Sequence, residues 1–159
     1  MNKDQTGLDF TESEIKSYCI YLLVRREHSQ KELLNKSLAK GFEKDQVLTV
    51  IKALVLEGWQ SDFRYAECYA RYRIQKGYGP IWINYELKKN GITGFNLDDL
   101  VLKTVGTWID LLERVYTKKY GHNSFLNRNE LAKRSRFLMQ RGFSYAMIST
   151  FFDHLNIKL

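Results

Sequence analysis

"KGYGPIWINYELKKNGI", residues Lys76–Ile92, holds the one proline of the chain, a Gly77-x-Gly79 pair ahead of it, and then a run with helical spacing. Two readings compete. A Walker phosphate loop ends in Gly-Lys-Ser/Thr after a strand, and a dinucleotide loop reads GxGxxG after a strand. "KGYGPI" has neither ending, and the residues before it read as helix. The alternative is a hinge between helices. Gly79 takes the N-cap, and Pro80 takes the first helical position, where a missing N–H costs nothing. Ile83 and Leu87 then share the buried face, and Gly91 is the left-handed residue that ends the helix beside Lys88 and Lys89.

The hinge reading gains weight because the pattern recurs. "KGF" (Lys40–Phe42), "NGI" (Asn90–Ile92) and "RGF" (Arg141–Phe143) place glycines 50 and 51 residues apart. Five residues after Phe42, Ile92 and Phe143 stand Val47, Leu97 and Ile148; eight and nine after stand Val50/Ile51, Leu100/Val101 and Phe151/Phe152. Those offsets line one face of a helix in each unit. Twelve residues before Gly41 is Ser29, which opens "SQKE", a capping box; twelve before Gly91 is Gly79. The chain is an internal triplication.

The expected fold is therefore all-α: a tandem array of three three-helix repeats, elongated and able to curve. A flexible tail at residues 1–11 precedes repeat 1 (12–60), repeat 2 (61–106) and repeat 3 (107–159). Helices are predicted at Glu12–Glu27, Gln30–Lys40, Lys44–Glu57, Asp62–Lys76, Pro80–Asn90, Leu97–Gly106, Thr107–Tyr120, Asn129–Arg141 and Tyr145–Leu155. Trp59 and Trp108 follow their glycines by 18 and 17 residues, at an equivalent joint between units, and both read as structural, whereas Trp82 falls in an exposed first turn.

The charge is unevenly spread. Residues 1–61 balance nine basic against nine acidic side chains, residues 62–90 carry six against three, and residues 108–159 carry nine against four. Lys118–Arg141 has seven basic residues facing only Glu130. A localised basic surface suits a polyanion or an acidic protein, and it also serves as a solubilising face.

Little points to catalysis. His28, His122 and His154 show no metal-binding spacing, and Asp98-Asp99 sits where a helix start explains it. Cys19 and Cys68 read as buried or half-buried free thiols. No metal or cofactor is expected. The acidic, polar start and the absence of a long apolar run give the expectation of a cytoplasmic protein. In "RYAECYARYR" (Arg64–Arg73), Arg64 and Arg71 share a helical stripe and Arg73 lies about 160° from Arg71. The interleaved tyrosines there suit packing between helices better than base stacking.

The series Asp62, Ala66, Arg71, Gly77, Gly79, Pro80, Ile83, Glu86, Leu87, Gly91, Ile92, with "SQKELLNKSLAKGF" before it and "RSRFLMQRGFSYAMI" after it, resembles the RecX family of bacterial regulatory proteins. The resemblance runs from about Tyr18 to the end. It implies a helical-repeat regulator, not an enzyme, acting in recombination, DNA repair and the SOS response. Such a protein lodges in the groove of the RecA filament on single-stranded DNA and holds down its ATPase, strand-exchange and co-protease activities. The family usually has arginine where this chain has Trp82.

The residues expected to meet RecA or DNA are Arg64, Arg71, Lys76, Lys88 and Lys89 of repeat 2 and Arg128, Lys133, Arg134 and Arg136 of repeat 3. Arg134 replaces the Leu33 and Ile83 of the other repeats, so its helix is expected to be less buried, with Lys133, Arg134 and Arg136 on a mostly exposed face. Gly79, Pro80 and Gly91 form the structural hinge. A monomer is expected. The competing reading is a stand-alone helical module that binds single- or double-stranded DNA directly.

Overall fold

The computed structural model describes residues 10–122 and 126–157, and among these the chain forms nine helices and no strand. They are α1 (Glu12–Arg25), α2 (Gln30–Ala39), α3 (Lys44–Leu56), α4 (Asp62–Gln75), α5 (Pro80–Lys89), α6 (Leu97–Thr104), α7 (Trp108–Tyr120), α8 (Arg128–Gln140) and α9 (Tyr145–His154). Each lies within two residues of its predicted bounds. Of the expected tail, residues 1–9 lie outside the described residues; Phe10 packs edge-on to Phe42 with ring centres 4.7 Å apart, and Thr11 caps α1. None of the described helices is long and apolar enough to cross a membrane.

Local chemistry sets most helix starts. Thr11 with Glu14, Ser29 with Glu32 and Thr107 with Asp110 form reciprocal capping boxes that satisfy amides of the first turn. Asn96, Asn127 and Ser144 accept from the amide three residues on. Glu43 caps α3 by accepting from the Asp45 and Gln46 amides, and those bonds hold its carboxyl below the usual value. The ends are equally regular. Gly41, Gly91 and Gly142 have φ of +100°, +85° and +95°, and the next residue donates its N–H back to Ser37, Leu87 and Leu138 respectively. That closes a Schellman turn, and the residues that follow the glycines, Phe42, Ile92 and Phe143, are buried.

The chain divides into two compact units, Met1–Tyr65 and Ala66–Leu159, with the division inside α4. In the first unit α1, α2 and α3 enclose Ile15, Cys19, Leu33, Phe42, Val47, Val50, Ile51 and Leu54. Burial pushes the Cys19 thiol up, though Ser37 lies 3.7 Å from its sulfur. At one end, the Asp62 carboxylate accepts from the Gln30 amide and from Gln60 Nε2, which also donates to the His28 carbonyl. On α2, Leu33 is buried while Leu38 is exposed.

In the second unit, the residues at the offsets read from sequence are buried: Leu97, Leu100 and Val101 of α6, and Ile148, Phe151 and Phe152 of α9. The N-terminus of α5 meets the C-terminal turn of α8. Gly79 N–H donates to the Arg141 carbonyl at 2.7 Å and Ile81 N–H to the Gly142 carbonyl at 3.0 Å. Unsatisfied donors of one helix thus pair with unsatisfied acceptors of another, and the positive end of one dipole faces the negative end of the other. The approach is so close that a Cβ on Gly79 would lie 2.5 Å from the Gly142 oxygen. A Cβ on Gly142 would collide with Trp82.

Three expectations are corrected. Trp108 is buried, and its indole N–H donates to Asp98 at 2.7 Å, but Trp59 is 45% exposed, so the two tryptophans are not equivalent. Trp82 is half-buried rather than exposed, because it stacks on Tyr78 with ring centres 4.2 Å apart. Cys68 is exposed, since it lies on the outward face of α4 opposite Ala66 and Ala70.

Candidate functional site

The second unit carries a ladder of alternating cations and rings. It begins at the C-terminal end of α4, where the Arg73 guanidinium carbon lies 4.8 Å from the Trp82 ring centre and within 5.5 Å of those of Tyr69, Tyr72 and Tyr78. Arg141, the C-cap of α8, lies 4.9 Å from Tyr78 and 5.5 Å from Phe137. Lys119 of α7 sits 3.8 Å from Phe137 and 5.6 Å from Tyr120. Arg134 closes the run at 4.4 Å from Tyr120 and 5.6 Å from Tyr116. Each contact contributes about 0.5–1 kcal/mol where solvent reaches it and more where it does not.

Helix spacing produces much of this. An aromatic residue followed by a cation four positions on recurs as Tyr69–Arg73, Tyr72–Lys76 and Phe137–Arg141, which puts each pair on adjacent turns of one face. The helix-end junction supplies the rest. It fixes Arg141 beside the α4–α5 turn, where its Nη1 donates to the Lys76 carbonyl at 3.1 Å.

The cations differ in what they are already doing. Arg64, in the first unit, pairs with Glu27 and donates to the Gly58 and Trp59 carbonyls, so it closes the end of α3. Arg71 pairs with Glu67 one turn away. Lys76, Lys88, Lys89, Arg128, Lys133 and Arg136 are exposed and form no ion pair among the described residues.

Arg134 corrects the expected exposed face: it is only 8% exposed. Its Nη1 donates to the Tyr116 hydroxyl at 2.8 Å and its Nε to Glu130 at 3.3 Å. Burial works against its charge, but the Tyr116 hydroxyl and Glu130 more than offset that and hold the proton above the ordinary arginine value. The sister positions Leu33 and Ile83 are also buried, so the repeat's burial pattern survives while the residue type changes.

Arg73, Lys119 and Arg141 were not among the residues singled out from sequence. Arg73 lies about 160° from Arg71, off the Arg64–Arg71 stripe, yet its own face carries the rings. The aromatic-to-cation spacing of four was the readable signal. Of the hinge residues, Gly79 sits at the junction as the N-cap of α5 with no side-chain cap and Pro80 follows at its first position, while Gly91, with a positive φ, closes the opposite end of the helix. Among the described residues, no group of three or more His, Cys, Asp or Glu side chains is placed to hold a metal ion.

Comparison with known proteins bears on what such a surface serves. Family models described as the second and third three-helix domains of RecX match residues 61–99 and 109–152. A regulatory protein RecX of Legionella pneumophila is 37% identical over 84% of this chain and 89% of its own length. One from Pseudomonas fluorescens is 39% identical over 80% of this chain and 83% of its own. The crystal structure of RecX from Lactobacillus salivarius superposes with a TM-score of 0.74 at 25% identity, covering 91% of this chain and 96% of that one.

Proposed function

This chain belongs to the RecX family, as a regulatory protein of tandem three-helix domains, and we propose that its target is the RecA filament on single-stranded DNA. In this reading it acts in the cytoplasm as a monomer, lodges against the filament, and holds down ATP hydrolysis, strand exchange and co-protease activity by binding. The likeness to regulatory RecX proteins over most of the chain carries the reading. The cations Lys76, Lys88, Lys89, Arg128, Lys133 and Arg136, exposed and in no ion pair among the described residues, support it, because such charges can meet acidic protein surface or phosphate. Arg64, in the first unit, and Arg71, in the second, contribute only by exchanging their internal carboxylates for outside ones.

The test is DNA-dependent ATP hydrolysis by the cognate recombinase with this chain titrated in. Falling hydrolysis at stoichiometric concentrations is expected, and unchanged hydrolysis overturns the reading. Reversing Lys133 and Arg136 to glutamate, with buried Arg134 left intact, should weaken inhibition about five- to thirtyfold, since each of the two rim contacts is worth about 0.5–1 kcal/mol. A second reading, a stand-alone DNA-binding module, draws on the ladder of cations and rings. It requires tight, steeply salt-dependent DNA binding with no recombinase present.

A further inference from the structure

Of the cations in the ladder, Arg73 and Arg141 are the two that are held in place yet left with unused donors. Both are half-buried. Among the described residues, Arg73 donates its Nε to Tyr69 at 3.3 Å and Arg141 its Nη1 to the Lys76 carbonyl, with no further hydrogen bond from either guanidinium. Neither forms an ion pair among the described residues, in contrast to Arg26, Arg64, Arg71 and Arg134. The carboxylate that acts near Arg73, Glu86, bears on the Tyr69 hydroxyl. Both guanidiniums pack on the same ring, Tyr78, at 5.4 and 4.9 Å from its centre. Lys76 and Lys119 stand at the ends of the pair, also without ion pairs.

We infer that Arg73 and Arg141, mounted on Tyr78, form a two-guanidinium receptor for neighbouring phosphates of a single nucleic-acid strand. A guanidinium presents a rigid planar fork of donors that matches phosphate oxygens, and rings that fix its orientation remove the entropy otherwise lost on binding. Sharing one ring keeps the two forks close enough to engage one stretch of backbone. Tyr78 and Trp82 stack on each other and on arginines, so they serve as mounts rather than as platforms for bases. Recognition is therefore of backbone charge and independent of sequence. A strand is favoured over an acidic protein because four unpaired cations in file suit a continuous line of charge better than scattered carboxylates. The inference deepens the filament reading by assigning this face to the DNA, and it rests on that reading for its setting alone.

The experiment is fluorescence anisotropy of a labelled oligothymidine of about 20 nucleotides, without recombinase, across a salt series. Wild type should bind with affinity falling steeply with salt. Arg73→Gln with Arg141→Gln should lower affinity about tenfold and flatten the log–log salt slope by about 1.4, the loss of two single-strand phosphate contacts. Arg73→Lys with Arg141→Lys should keep the wild-type slope, which a merely structural role does not predict. Lys103→Gln, removing a cation already paired with Asp99, serves as the charge control and should change neither. Circular dichroism checks that each variant is folded. An unchanged slope in the glutamine pair, or a flattened slope in the folded lysine pair, overturns the receptor. So does an oligothymidine that fails to bind while poly-glutamate does, which would assign the face to acidic protein. Inhibition of recombinase ATP hydrolysis by the wild-type chain is read separately: no oligothymidine binding by wild type with inhibition intact sinks the receptor alone, and oligothymidine binding without inhibition sinks only the filament reading.

Discussion

The middle helices of repeats 1 and 2 begin at the same place in the repeat and are finished in opposite ways. At α2, Ser29 accepts from the Glu32 amide at 3.0 Å while Glu32 accepts from the Ser29 amide at 3.1 Å, so the helix end is satisfied by its own neighbours. At α5, Gly79 offers no side chain, and the amides of Gly79 and Ile81 are satisfied by carbonyls at the end of α8. A locally closed end lets repeat 1 complete its own core. An open end must borrow, and what it borrows from is repeat 3. The ladder depends on that loan, because the junction is what carries Arg141 to Tyr78.

The sharpest way to break the contrast is to write repeat 1 into repeat 2. Gly79→Ser supplies the cap that α2 uses, and on helix propensity alone it would be neutral or helpful. We expect instead a loss of about 3 kcal/mol, because the new Cβ meets backbone at the Gly142 carbonyl, which has no side chain to swing aside. Chemical denaturation of the variant measures it; wild-type stability would show that the junction is not close-packed.

A somewhat smaller effect is expected where repeat 3 departs from its sisters. Arg134→Leu restores the residue found at position 33 but leaves the Tyr116 hydroxyl buried without its donor, at a cost of about 2 kcal/mol. Adding Tyr116→Phe should recover most of that loss, since removing both partners of a buried polar contact is nearly neutral. A double-mutant cycle with no coupling would show that the pair does not hold α7 to α8.

Ser29→Ala removes one local cap and should cost about 1 kcal/mol, confined to the first unit. The equivalent test in repeat 2 cannot be made at a side chain, which is the contrast in its simplest form.

The mildest expected effect is pH dependence. His28 is buried, and burial followed by the neighbouring positive charges of Arg26 and Lys36 outweighs its bond to the Arg26 carbonyl, so its pKa lies below the ordinary 6.5. The folded state thus favours the neutral ring. Stability is fully present above pH 6.5 and declines as pH falls from there through the depressed folded value. His28→Asn should flatten that decline in a series of denaturation curves; an unchanged decline would assign it to other groups.

Sequence alone determined the nine helices and the repeat, because caps, Schellman glycines and the i, i+3, i+4 apolar offsets are all settled within one or two turns of chain. It equally fixed which offsets of each third helix go inside, and the structure buries Val47, Leu97, Ile148 and their partners. Only the tertiary structure decided that Arg134 goes inside, since that required a hydroxyl 18 residues away to receive it. It alone decided which cations are spent on internal carboxylates and which stand free, and it alone joined α5 to α8, where Arg141 reaches a carbonyl 65 residues back in the chain. Those outcomes depend on which distant donors and acceptors are brought within 3 Å or so of one another, and no local pattern encodes that distance.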